Sequence, residues 1–209
     1  WMKVEQIVNW VSSFYPAWDN AFTERLLDVF RLPRSTKVKA LSKGQNSSLA
    51  LLLALGHRPK VVILDDPTLG LDPIARKDFL RHIIDLCQTN GVTVFFSSHL
   101  LYEIEPVADH IAIIDRGVIV KAGRTEQLRE NIRRFVFRPL DNWSPARIGG
   151  LLDVTKSEGS VSVVVEGCDD DKRALLKAVA AEGIQEIGLN LDEIFEACVV
   201  GNRGEAMHV

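Results

Sequence analysis

Two short apolar runs on either side of one predicted helix limit most strongly what this chain can fold into. The first run, Val61–Leu64, is followed by two acids and a proline, and the second, Val92–Phe96, is followed by two serines and His99. Short, continuous apolar runs of this kind are typical of parallel strands that are buried on both faces of a sheet. The sequence therefore predicts an α/β fold built around such a pair.

The segment between the two runs has the periodicity of a helix that begins near Pro73, ends near Thr89 and is closed by Gly91. A strand, a helix and a second strand in this order form a βαβ unit, whose crossover is right-handed. The carboxyl ends of parallel strands meet at the edge of the sheet where such folds bind ligands. We therefore expect Asp65 and Asp66 to lie close to His99.

The flanking regions differ from the βαβ unit in their pattern of apolar residues, which divides the chain into three predicted parts. Residues 1–57 have helical spacing, interrupted by an aromatic, proline-containing turn at Tyr15–Asp19. Residues 58–133 contain the βαβ unit and then a strand pair, and residues 134–209 have the pattern of a small α+β appendage. In this last part the expected elements are strands at 135–137 and 160–165 and helices at 171–181 and 191–199.

Four groups of residues have side chains that can take part in ligand binding or catalysis. The Leu41–Gln45 segment (Leu-Ser-Lys-Gly-Gln) opens a predicted helix, where backbone N–H groups and the helix dipole can bind an anion, although for this loop alone a plain helix N-cap is the more common explanation. Asp65 suits a Mg²⁺ ion held through water, and Asp66 can orient an attacking water or simply begin a turn. Asp72 before Pro73 is a strong helix start.

The fourth group is Ser97–His99. A histidine at the end of a strand is often structural, but the register of His99 with the two acids also favours contact with a phosphate or an attacking water.

Composition excludes several classes of protein. The 209 residues carry 25 basic and 28 acidic side chains, a net charge of −3, which gives no support to nucleic-acid binding. The longest apolar runs are far shorter than the roughly 20 residues that span a bilayer. The 3 cysteines are odd in number and widely spaced, which argues against a disulfide framework or a zinc site and favours a reducing compartment.

In this order and spacing, the four groups resemble the motifs of the nucleotide-binding subunit of ABC transporters. Leu41–Gln45 resembles the signature loop of that family, Val61–Asp65 its Walker B strand and Leu69–Asp72 its D-loop. Asp66 stands at the position of the catalytic carboxylate, where the family usually has Glu, and His99 at the position of the switch histidine. Residues 15–19 and the appendage are similar to subunits that serve drug, peptide or lipid exporters.

The resemblance implies a partial P-loop NTPase core with a helical signature subdomain, and it implies ATP and Mg²⁺ as cofactors. Its cofactor-binding residues are Leu41, Ser42, Lys43, Gly44, Gln45 and Asp72, its metal ligand is Asp65, and its catalytic residues are Asp66 and His99. The implied partners are a second nucleotide-binding subunit, in a head-to-tail dimer, and transmembrane permease subunits. The implied location is the cytoplasmic face of the cell membrane.

The phosphate-binding motif G-x-x-x-x-G-K-[ST] does not occur in the 209 residues, and the chain begins Trp1-Met2. We therefore expect a fragment that starts after the Gln loop of the family, with Val61, Ile63, Val94 and Phe96 exposed. Two alternatives remain: a non-catalytic binding or regulatory module derived from an ABC ATPase, and a soluble ABC ATPase that serves repair or translation.

Overall fold

The chain folds into two compact units, Trp1–His99 and Leu100–Val209. The computed structural model describes residues 1–141, 143–145, 148–157 and 159–205, with side chains described as far as residue 199. The first unit joins the predicted helical region to the βαβ unit, because side chains from both share one hydrophobic core that runs from Val4 to Val92. The division into residues 1–57, 58–133 and 134–209 stays a prediction.

The first unit contains four α-helices, a short 3-10 helix (Val38–Ala40) and a two-stranded parallel sheet among its described residues. The helices are α1 (Val4–Ser12), α2 (Asn20–Val29), α3 (Lys43–Leu55) and α4 (Pro73–Asn90), and the strands are β1 (Val61–Leu64) and β2 (Thr93–Phe96). The predicted strand–helix–strand order and the parallel pairing of the two strands are confirmed. This pairing brings the carboxyl ends of β1 and β2 to one edge of the sheet.

β1 is buried on one face only, and the expected exposure of Val61 and Ile63 is confirmed. Val62 is only 5% exposed and packs into the core, whereas Val61 and Ile63 are 56% and 75% exposed. Ile63 pairs with Phe95, which is 63% exposed. Because alternate residues of a strand face opposite sides, the open face carries Phe95 rather than the expected Val94 and Phe96, which are half-buried.

This open apolar face leads to the first prediction. We expect the chain to self-associate at micromolar concentration, because an exposed apolar patch on a sheet with unpaired edges commonly drives association. Ile63→Lys should weaken that association about tenfold or more, since burial of an isoleucine contributes about 1.5–3 kcal/mol. Ile74→Lys is the matched control, because Ile74 is 76% exposed but lies on α4. A strictly monomeric species in light scattering would contradict the prediction.

An aromatic turn holds the C-terminal end of α3. Trp18 covers Gly56, the residue that ends the helix, so closely that a Cβ atom at Gly56 would lie 2.2 Å from the indole ring. Tyr15 stacks on His57, with ring centroids 4.4 Å apart and an interplanar angle of 13°. The predicted turn at Tyr15–Asp19 therefore packs against the C-terminal end of α3.

Polar contacts complete the same junction. The Asp19 amide donates to the Gly56 carbonyl at 2.8 Å, and the Asp19 carboxylate accepts from the Phe22 amide and from Arg58. The Phe22 amide, and then Arg58, hold the pKa of Asp19 below its usual value. Arg58 also reaches Asn90 at the end of α4. The ends of α3 and α4 and the start of α2 therefore meet at one point.

The second unit is built around two antiparallel sheets. Its elements are α5 (Leu101–Ile104), β3 (His110–Asp115), β4 (Val118–Arg124), α6 (Thr125–Asn131), β5 (Ile132–Pro139), β6 (Leu151–Ser157), β7 (Ser160–Glu166), α7 (Asp170–Val179), β8 (Ala180–Gly188) and α8 (Leu191–Glu205). The predicted hairpin of β3 and β4 is confirmed, and the larger sheet has the order β6-β7-β5-β8.

Sequence reasoning missed α6, β6 and β8, and it extended α7 two residues too far. β8 carries two glycines and two glutamates and lies at an edge of its sheet, where the alternation of apolar and polar residues is weak. No helix among the described residues is both long enough and apolar enough to cross a membrane.

Candidate functional site

The carboxyl edge of the parallel sheet carries a cluster of hydrogen-bonded side chains. The last ladder bond of the pair runs from the Ser97 amide to the Leu64 carbonyl at 3.0 Å. Directly beyond it, the Ser97 hydroxyl donates to Asp65 Oδ1 at 2.6 Å and accepts from the Asp66 amide at 2.8 Å. The expectation that the residues after β1 and β2 lie close together is confirmed for these side chains.

Asp66 and His99 form the second contact of this cluster. His99 Nδ1 lies 2.7 Å from Asp66 Oδ2, with the imidazole 56% exposed and the carboxylate 23% exposed. Asp66 has a φ of +41°, a left-handed conformation that Asp adopts more readily than most residues. Its other oxygen, Oδ1, is buried and has no hydrogen-bond partner among the described residues.

The start of α3 is closed by a capping box. The Ser42 hydroxyl accepts from the Gln45 amide at 3.1 Å, and the Gln45 side chain accepts from the Ser42 amide at 3.0 Å. Leu41 is 8% exposed, and its side chain belongs to the hydrophobic core. The helix-cap interpretation of this loop is therefore confirmed, and an anion site at the same helix start stays a prediction.

The loop before α4 packs against this helix start. A Cβ atom at Gly44 would lie 3.0 Å from the Ala75 Cβ atom, so the first turns of α3 and α4 approach closely. The Lys43 side chain crosses Gly70, where an added Cβ atom would lie 3.0 Å from Lys43 Nζ. Gly70 has a φ of +73°, so both its backbone and its neighbour favour glycine.

Asp72 is the N-cap of α4. Its carboxylate accepts from the amides of Ile74 and Ala75, both at 3.0 Å, and Pro73 is at the first helical position. The predicted helix start is confirmed. The role of Asp72 in joining two nucleotide sites stays a prediction.

The side chains at the sheet edge fit a hard cation in part. Asp65 is exposed and offers carboxylate oxygen, the donor that Mg²⁺ prefers when phosphate and water supply its other ligands. Among residues whose side chains are described, no group of three or more His, Cys, Asp or Glu could hold a metal ion. A cation at Asp65 therefore depends on ligands from outside this cluster.

Two features of the site were missed by sequence reasoning. The bridging role of Ser97 was missed, although its place directly after a strand and level with two acids could have indicated it. The contact of Lys43 with Gly70 joins residues 27 positions apart in the sequence, and no periodicity predicts it.

Fold and site together define a mixed α/β protein that contains part of a P-loop NTPase core. The parallel pair carries two acids and a histidine at its carboxyl edge, the edge where such folds bind ligands. Comparisons with known proteins identify the class more closely.

A family model described as "AAA domain, putative AbiEii toxin, Type IV TA system" matches residues 22–105. The ABC transporter ATP-binding protein YtrB of Bacillus subtilis is 24% identical over 95% of this chain and 68% of its own length. The bacitracin transport ATP-binding protein BcrA of Bacillus licheniformis is 38% identical over 56% of this chain and 39% of its own length.

A solved structure described as the ATP-binding subunit of an ABC transporter has a TM-score of 0.52 with this chain, at 26% identity. It matches 62% of this chain, which spans 55% of that structure. These findings identify the chain as a relative of the ATP-binding proteins of ABC transporters. The resemblance that the motifs indicated is confirmed at this level.

Proposed function

We propose that this chain forms the signature and Walker B part of an ATP-hydrolysing subunit of an ABC transporter. The observation that carries the proposal is the cluster at the sheet edge, where Ser97, Asp65, Asp66 and His99 are joined by short hydrogen bonds. The capped start of α3 and its contact with the loop before α4 support the same assignment.

Each side chain of the cluster has a distinct part in this proposal. Asp65 holds Mg²⁺ through water, and the ion, when bound, neutralises charge on the phosphates of ATP. Asp66 orients the attacking water with its carboxylate, and His99 holds that carboxylate in place through Oδ2. His99 is exposed enough to contact the γ-phosphate as well.

The start of α3 serves a second nucleotide in the proposal. Ser42 and Gly44, with the flanking Leu41, Lys43 and Gln45, face the γ-phosphate held by a second nucleotide-binding subunit in a head-to-tail dimer. A helix N-terminus suits an anion because its N–H groups and its dipole carry partial positive charge. Asp72 couples the two sites, because it caps α4 beside the Lys43–Gly70 contact.

The proposed partners are transmembrane permease subunits, which place the chain at the cytoplasmic face of the cell membrane. One relative is a bacitracin transport ATP-binding protein, and together with the turn at 15–19 this similarity favours a drug, peptide or lipid exporter. A non-catalytic module and a soluble ABC ATPase are the competing functions.

Titration of residues 1–209 with MgATP tests whether this chain alone can bind the nucleotide. We expect titration calorimetry to show a Kd for MgATP no tighter than about 1 mM, because most contacts to the β- and γ-phosphates come from a phosphate-binding loop whose motif this sequence lacks. The assembly that contains this chain, with its permease, should hydrolyse ATP and move substrate into or out of vesicles. Micromolar binding by the chain alone would contradict the proposal that it supplies only the signature and Walker B part of the nucleotide site. An inactive assembly would favour the non-catalytic module.

A further inference from the structure

We propose that Ser97 is the positioning residue of this site, setting the orientation of the metal-binding carboxylate and of the water-orienting carboxylate through one hydroxyl group. The inference rests on the proposed function, and it assigns a role to a side chain to which neither the motifs nor the comparisons assign one. Its basis is the pair of hydrogen bonds that Ser97 makes to consecutive residues, Asp65 and Asp66.

The chemistry of the hydroxyl determines what it can do here. A serine hydroxyl has one proton to donate and lone pairs to accept with. The Ser97 hydroxyl donates its hydrogen bond to Asp65 Oδ1 at 2.6 Å, a length typical of a bond to an ionised carboxylate. A lone pair accepts the Asp66 N–H at 2.8 Å. With both partners present, the rotation of the hydroxyl is fully determined.

The Asp66 amide needs such a partner because of where the strand ends. β1 ends at Leu64, and the ladder bond from the Ser97 amide to the Leu64 carbonyl is the last one of the pair. The chain then turns through Asp66, whose positive φ takes it out of the extended conformation. The Ser97 side chain therefore extends the pairing of β1 and β2 beyond the last backbone bond.

The end of β2 thus controls both carboxylates from two positions. Ser97 holds Asp65, and His99, two residues later, holds Asp66 Oδ2 at 2.7 Å. Groups that orient a metal-binding carboxylate commonly change metal affinity or activity by a factor of about 10–100 when they are removed. We expect an effect of this size at Ser97, with two readouts.

The first readout is amide hydrogen exchange of the 209-residue chain. Ser97→Ala should raise the exchange rate of the Asp66 amide about tenfold, because the amide loses its acceptor. Ser97→Thr, which keeps a hydroxyl, should restore the slow rate. Ser12→Ala is the matched control, because the Ser12 hydroxyl donates to the Asn9 carbonyl at the exposed end of α1.

The second readout is ATP hydrolysis by the assembly that contains the chain. Ser97→Ala should lower kcat about 10–100-fold and raise the Mg²⁺ concentration for half-maximal activity, with a change in KM for ATP of no more than about threefold. Ser97→Thr should recover most of kcat, and Ser12→Ala should leave all three values unchanged.

The two readouts separate the possible failures. An Asp66 amide that exchanges at the same rate in wild type and Ser97→Ala would overturn the inference, whatever the activity. A change in exchange without a change in kcat or Mg²⁺ dependence would overturn the positioning role and leave only a structural bond. An assembly that does not hydrolyse ATP at all would overturn the proposed function, and with it the purpose assigned to Ser97.

Discussion

Asp66→Asn is expected to lower the ATP turnover of the assembly that contains this chain by a factor of about 10²–10⁴, the usual range for loss of a general base. The substitution keeps the size and shape of the side chain. Asn also adopts positive φ readily, so the backbone conformation at φ +41° is retained. What changes is the charge of the side chain and its ability to take a proton from water.

Binding of ATP and closure of the dimer should survive this change, because neither depends on the transfer of that proton. The measurement is steady-state turnover together with nucleotide retention by the closed assembly. Asp78→Asn is the matched control, because Asp78 is an exposed acid on α4 that pairs only weakly, at 3.9 Å, with Arg81. A variant at Asp66 that kept more than about a tenth of the activity would make Asp66 a turn residue.

The second large effect is expected at the far end of α3. Gly56→Ala should destabilise the chain by about 1–3 kcal/mol or more, the usual cost of overpacking. Three ring atoms of Trp18 lie within 2.5 Å of the new Cβ atom, so the indole ring must move away from residue 56. The backbone of Gly56 (φ −58°, ψ −27°) is ordinary for alanine, so the usual result of this substitution is a small gain in stability.

A double-mutant cycle isolates the steric cause. In a Trp18→Ala background, Gly56→Ala should become neutral or stabilising, since the clashing ring is gone and the unfolded chain has fewer conformations. The measurement is the urea midpoint of unfolding for the four variants. An equal loss of stability in both backgrounds would show that the indole is not the cause.

The agreement between sequence and structure is best where local patterns determine the outcome. The strands Val61–Leu64 and Thr93–Phe96 were predicted from their apolar runs, and the starts of α3 and α4 from Ser42 and Asp72. These features depend on residues a few positions apart, so the sequence carries them almost completely. The edge of the sheet that bears the site follows from the parallel pairing alone.

The agreement is poorer where long-range packing decides. β8 was taken for the end of a helix and a loop, because an edge strand with charged residues has little periodicity of its own and is stabilised by pairing with β5. The open face of β1 was expected, but Phe95 was not named on it, because the register of β2 against β1 selects which alternate residues face outward.

The sequence by itself determined the order of the motifs, the βαβ unit and the meeting of Asp65 and Asp66 with the end of β2. Only the tertiary structure decided that Ser97 bridges both acids. The same holds for the packing of Lys43 over Gly70 and of Trp18 on Gly56. The physical reason is that backbone propensity and hydrophobic period act over a few residues. Contacts between side chains distant in sequence depend on distances of a few tenths of an ångström, which are set when all the elements pack together.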